Sequence, residues 1–179
     1  MQKRNSPYKL SGPENGQMNW GYYAYVEKFF ESEILNEFCD TYSGHSYWMD
    51  SPDALEEKTA VGKKFKEEYP DKKYEMSEWC ELPLQIDSTT IDSGLRMAKV
   101  IVDDLNLMNA VSWQSWTAVN GDGLLDRDAD GKLIEYNRYY AFKQFTSFIK
   151  PGMTRVRIFD ILKDKTNMRT VAFIGEENE

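Results

Sequence analysis

Four short runs of β character end near Leu10, Ser46, Glu78 and Trp116, spaced 36, 32 and 38 residues apart, with a helical pattern in each interval. Strands joined through a helix return parallel, and their helices cover the faces of the sheet. A complete eight-unit (β/α) barrel runs at about 31 residues per unit. The spacing therefore suits such a barrel, with four units where eight are needed. The expected fold class is α/β: a partial (β/α)8 barrel over residues 1–152, followed by a short antiparallel β segment over residues 153–179.

The elements follow from local signals. Residues 8–11 read as a strand that breaks at Gly12-Pro13, which leaves Glu14 in a polar loop. Over residues 20–38, Tyr22, Val26, Phe29, Ile34 and Phe38 fall at helical spacing. Residues 41–48 read as a strand opening into a loop at Asp50. Ser51-Pro52-Asp53 combines a cap, a proline for the first turn and an acid, and so starts a helix. Its stripe is Leu55, Val61, Phe65 and Tyr69, and Pro70 stops it. The next helix has the cleanest stripe of the chain: Ile91, Leu95, Ala98, Val102 and Leu105. A strand over residues 110–117 precedes a long acidic loop at 120–131. A last helix faces inward through Tyr139, Phe142, Phe145 and Ile149 and stops at Pro151-Gly152. Residues 155–162 and 168–174 are β-branched-rich and read as a hairpin.

Chemistry is expected at Glu78. A carboxylate at the carboxyl end of a strand in a β-α-β-α run stands where barrels keep their reacting groups, and the neighbouring Trp79 suggests a sugar face. The lone histidine, His45, makes no credible Ser/His or Cys/His pair. Cys39 and Cys80 fall at opposite ends of adjacent parallel strands, too far apart for a disulfide, and read as two buried thiols. Asp126, Asp128, Asp130 and Gly131 match the start of a calcium loop, but Asn137 replaces the closing glutamate. The segment reads as an acidic turn, so neither a metal nor a cofactor is expected.

A formal net charge of −8 argues against nucleic acid and against an anionic membrane surface as partners. Met1-Gln2-Lys3-Arg4 is basic but no apolar segment follows, so no signal peptide is read in this stretch. Aromatic residues make up 14% of the chain, many beside Gly, Ser or Asn, as rings in a cleft would be.

Five segments stand out in order: Lys9-Leu10-Ser11-Gly12-Pro13-Glu14, His45-Ser46-Tyr47, Met76-Ser77-Glu78-Trp79, Ser112-Trp113-Gln114-Ser115-Trp116, and the run 138–152 that opens Arg138-Tyr139-Tyr140 and closes Lys150-Pro151-Gly152. Together they resemble glycoside hydrolase family 30, which includes glucuronoxylanases, β-1,6-galactanases and glucosylceramidases. In the family's order they cover residues 9 to about 160. The resemblance implies that the four strands are barrel strands five to eight and that the tail begins a β-sandwich side domain. It implies that Glu78 is the nucleophile of a retaining glycosidase and that Tyr47 donates a hydrogen bond to it. His45 and Trp116 would line the subsite of the sugar being cleaved, and Glu14 would contact substrate. The substrate would be a β-glycan such as xylan or β-1,6-galactan, and the full-length enzyme would be secreted or periplasmic.

One departure matters. The family's acid/base is a glutamate after an asparagine at the end of strand four, and no suitable Asn-Glu precedes the first strand; Asn36-Glu37 lies inside a helical pattern. The expectation is a fragment that carries the nucleophile, is silent or nearly so by itself, and pairs into a homodimer through exposed barrel edges. The alternative from another class is a non-catalytic carbohydrate-binding or interaction module on an open α/β sheet. A nucleotide-binding domain lacks its glycine-rich strand-to-helix turn.

Overall fold

The computed structural model describes residues 10–82, 87–158 and 168–175. In chain order the elements are β1 (Leu10–Asn15), α1 (Trp20–Glu31), α2 (Glu33–Phe38), β2 (Cys39–His45), α3 (Pro52–Glu68), β3 (Lys73–Trp79), α4 (Ile91–Leu107), β4 (Ala110–Ser115), β5 (Leu125–Arg127), β6 (Leu133–Glu135), α5 (Asn137–Phe148), β7 (Thr154–Val156) and β8 (Ala172–Ile174). They fall into two compact units, Met1–Trp79 with Leu107–Gln114, and Cys80–Asn106 with Ser115–Glu179. Among the described residues no helix is long and apolar enough to cross a membrane.

The first unit is built on a sheet of order β1-β2-β3-β4, with β2 parallel to both β1 and β3. Its core is aromatic. Tyr42 of β2 and Tyr74 of β3 are 0% and 1% exposed, and they meet Phe30 of α1 and Phe65 of α3. Ring centroids lie 6.1 Å apart for Phe30–Tyr42 and Tyr42–Phe65, and 6.5 Å for Phe65–Tyr74. Such offset and tilted contacts add to the burial of the rings. Helix α3 starts as its sequence signals require: the Ser51 hydroxyl accepts the Ala54 N–H at 3.2 Å, and Pro52 occupies the first turn. Gly62 makes its closest approach. A Cβ placed there would lie 2.2 Å from the Leu107 carbonyl oxygen, so only hydrogen fits.

Three expectations for this unit are corrected. β1 runs through Gly12-Pro13 rather than breaking there. It is an edge strand of the sheet, and a proline on an edge need not sacrifice a ladder hydrogen bond. The helical stretch 20–38 is two helices, because Ser32 is extended and its hydroxyl takes the Leu35 N–H to begin α2. Trp79 is 3% exposed and packs on Trp113 at 5.9 Å, so it is core and not a sugar face.

The second unit contains α4, the β5–β6 and β7–β8 antiparallel pairs, and α5. The apolar stripe read for α4 does not hold at its start: Ile91 and Leu95 are each 60% exposed. The buried positions are Ser93, Gly94, Met97 and Val100 through Leu105, so Val102 and Leu105 of the stripe are buried as read. The cause is close packing through small and polar residues. A Cβ on Gly94 would lie 2.9 Å from the Asn137 carbonyl oxygen of α5, and the Ser93 hydroxyl donates to buried Glu81. Arg96 and Arg138 also reach Glu81, at 3.3 and 3.8 Å.

The acidic loop is itself ordered. It holds the β5–β6 hairpin, whose turn is Asp128 to Lys132. The Asp128 carboxylate accepts the N–H groups of Asp130 and Lys132, and Asp126 accepts the Tyr136 hydroxyl. Backbone and phenol hydrogen bonds hold the Asp126 carboxyl below its ordinary value. The tail hairpin is present as the pairing of Thr154 with Ile174 through Val156 with Ala172. Residues 159–162 of the first run lie outside the described residues.

Candidate functional site

The site begins as an irregularity in the ladder. On one side of β2, Pro13 pairs with Ser43 and Asn15 with Gly44, so Glu14 has no opposite residue. On the other side, Met76 pairs with Gly44 and Glu78 with His45, so Ser77 has none. Two bulges therefore flank β2 at the same level. A bulge bends its strand and re-aims the side chains beyond it. Plain alternation from Tyr74 and Met76, both within the core, would carry Glu78 to the buried face. The extra Ser77 breaks that alternation, and the Glu78 side chain is 24% exposed.

The bulges meet across Gly44. The Ser77 hydroxyl donates to Oε2 of Glu14 and lies 3.4 Å from the Gly44 carbonyl oxygen. A Cβ at Gly44 would stand 3.1 Å from the Asn15 side-chain oxygen, so a larger residue would force that side chain aside. Glu14 occupies the left-handed region at φ 69°, where few non-glycine residues sit.

Four side chains converge at the carboxyl ends of these strands. The Tyr47 hydroxyl donates to Oε1 of Glu78 at 2.9 Å. Nδ1 of His45 lies 3.6 Å from the same oxygen, and Nε2 lies 3.3 Å from Oε2 of Glu14. The imidazole thus stands between two carboxylates. It meets the Tyr47 ring edge to face, with centroids 5.7 Å apart. His45 is mostly buried at 15% side-chain exposure, whereas Glu14 is half exposed at 50%. This arrangement holds one oxygen of Glu78 through Tyr47 and His45 and leaves the side chain 24% exposed to solvent. A carboxylate so held is suited to attack an electrophilic carbon or to accept from sugar hydroxyls.

The residues expected from sequence distribute as follows. Glu78, Tyr47, His45 and Glu14 come together in the first unit. Trp116 follows β4 at 50% exposure, belongs to the second unit, and precedes a cis peptide bond to Thr117. The sequence pattern does not single out Ser77 for this place; the one indirect signal is Gly44, a glycine inside a strand and thus a sign of close approach or a bulge. Among the described residues no group of three His, Cys, Asp or Glu side chains is placed to hold a metal.

A model of the family described as O-Glycosyl hydrolase family 30 matches residues 16–127. The chain belongs to O-glycosyl hydrolase family 30. The matched span includes His45, Tyr47, Glu78 and Trp116, while Glu14 lies just before it. No curated protein is similar enough to count as a match.

Solved structures share the fold of this family 30 chain. A GH30 endoxylanase from Clostridium papyrosolvens aligns with TM-score 0.71 and 21% identity over 95% of this chain and 39% of its own. A conserved exported protein from Bacteroides fragilis gives 0.67 and 21% over 86% and 39%. The catalytic domain of GH30 xylanase C from Talaromyces cellulolyticus gives 0.66 and 14% over 95% and 37%. The chain thus spans less than two-fifths of the length of these neighbours.

Proposed function

We propose that this chain is the nucleophile-bearing part of a retaining β-glycanase. It would supply four of the eight units of a (β/α)8 barrel over residues 1–152, with a side domain beginning at 153. The observation that carries this reading is the orientation of Glu78, held at a strand end by Tyr47 and His45 in a chain of glycosidase family 30. In the proposed reaction Glu78 attacks the anomeric carbon as the glycosidic C–O bond breaks, and a second carboxyl about 5–5.5 Å away gives its proton to the leaving oxygen; the same carboxyl, now a base, then takes a proton from the water that hydrolyses the glycosyl-enzyme and frees Glu78. Tyr47 keeps Glu78 turned to its target. His45 and Glu14 bind the sugar, and Trp116 is a separate candidate for a sugar-contacting ring.

Glu14 is a poor choice for the second carboxyl. It is already engaged by His45 and Ser77, on the far side of the imidazole from Glu78. We place the acid/base in a segment corresponding to barrel strand four, outside this polypeptide, and the substrate among plant-type β-glycans such as xylan or β-1,6-galactan. Export to the cell surface or beyond fits such a substrate. Edge strands β1 and β4 would meet the rest of a barrel or a second copy; light scattering showing a monomer across concentration would count against the second copy.

The test is covalent labelling. An activated 2-fluoro glycoside should add one glycosyl mass to the protein, located at Glu78 by peptide mapping and absent in Glu78→Gln. Retention on a polysaccharide gel without labelling would instead identify a binding module. Robust hydrolysis of xylan by this chain alone, lost in Glu78→Gln, would show that the proton donor is within it after all.

A further inference from the structure

We propose that Trp48 is a platform for a second sugar of the bound glycan, next to the one held at Glu78; this rests on the reading of the Glu78 cluster as a glycan site. Trp48 lies at the third position of a four-residue turn, closed by the Met49 N–H on the Ser46 carbonyl oxygen at 3.4 Å. Both ends of the turn are anchored. Ser46 and Met49 are 1% and 2% exposed, Ser46 bridges to Gln17, and the Lys58 ammonium reaches its hydroxyl at 3.5 Å.

The turn holds Trp48 at φ 58°. Turns with positive φ at this position ordinarily use glycine or asparagine, and a bulky residue there is an outlier that marks function more often than fold. The indole does not repay that conformation by burial, since Trp48 is 62% exposed. Its ring instead leans on Tyr47, with centroids 5.7 Å apart and planes inclined at 49°. Tyr47 in turn binds Glu78, so the three groups form a series running outward from the carboxylate.

A β-linked pyranose with equatorial hydroxyls presents an apolar C–H face. A rigid, exposed indole covers such a face while ordering few torsions. Placed one ring further out than Tyr47, Trp48 would read chain length and not the bond being cleaved.

The test is a titration of methyl β-xyloside and xylo-oligosaccharides of two to six residues, followed by calorimetry, on the wild type and on Trp48→Ala, Trp48→Phe and Trp48→Gly. Affinity should rise with length in the wild type. Trp48→Ala should lose about 10-fold on the trisaccharide, equal to about 1.4 kcal/mol, and less than 2-fold on the monosaccharide. Trp48→Phe should stay near the wild type. Trp48→Gly should bind like Trp48→Ala yet melt at the same temperature as the wild type or higher, because glycine accepts the turn. Trisaccharide binding unchanged in Trp48→Ala overturns the platform and leaves the glycan site standing. An equal loss at all lengths with a lowered melting temperature overturns it in favour of a structural role. A wild type that binds neither the xylosides nor, in the same titration, β-1,6-galacto-oligosaccharides of the same lengths overturns both the platform and the site.

Discussion

The Tyr47 hydroxyl and the Glu78 carboxylate meet at 2.9 Å across two adjacent parallel strand ends. Tyr47 lies two residues beyond β2 and Glu78 one residue before the end of β3, so the contact depends on the bulge at Ser77. A hydrogen bond to a charged group contributes about 1.5–3 kcal/mol. Tyr47→Phe should therefore slow labelling by an activated fluoro-glycoside roughly 10- to 100-fold, read by intact-mass time courses.

Glu81 joins the loop after β3 to α4 and α5 from a buried position. It accepts from Ser93 and faces both Arg96 and Arg138, and Arg138 is itself 2% exposed. Removing one member of a buried ion pair strands the other and costs about 3–5 kcal/mol. Glu81→Ala should lower stability by that amount in urea unfolding, more than any substitution of a surface pair such as Lys63–Glu67.

Tyr42 is fully buried, and its hydroxyl has no hydrogen-bond partner among the described residues. Burial first, and the nearby Tyr25 second, raise its ionisation well above the ordinary tyrosine value. Tyr23 is raised likewise, by burial and then by its hydrogen bond to Glu68. For a raised group the stabilising contribution is complete below the unfolded value of about 10 and is lost as pH climbs above it. Base-induced unfolding should thus begin past pH of about 10. Tyr42→Phe should soften that slope and add about 1 kcal/mol at neutral pH, since an unpaired buried hydroxyl is removed; circular dichroism against pH reads both.

Gly62→Ala tests the contact between α3 and the backbone at 107–108. The new methyl would stand 2.2 Å from the Leu107 carbonyl oxygen and 3.1 Å from the Met108 Cα. Backbone must move, so the change should cost about 1–3 kcal/mol although alanine is the better helix former. A melting temperature at or above the wild type would contradict this.

What was legible in the sequence was local. Ser51-Pro52 announces α3; the grouping of His45 and Tyr47 with Glu78 comes from the family resemblance and not from local pattern, and Tyr47 and His45 lie 2.9 and 3.6 Å from one Glu78 carboxylate oxygen. What was not legible depended on tertiary contacts. Ile91 and Leu95 have the spacing of a core stripe, yet Ser93 and Gly94 face inward because Glu81 and Asn137 approach there. Gly12-Pro13 looked like a stop, but on an edge strand a missing N–H is harmless. The bulges at Glu14 and Ser77 are invisible to periodicity, because each is defined only by what its neighbouring strand does not pair with.

The tight spot at Gly62 also has a practical side. A substituent at position 62 must displace backbone, but the next residue along the same helix, Lys63, projects with 76% of its side chain in solvent. A dye or a resin linker coupled at 63 would hang from a helix whose adjacent residue is locked against the backbone, giving a rigid mooring for this protein on a sensor surface.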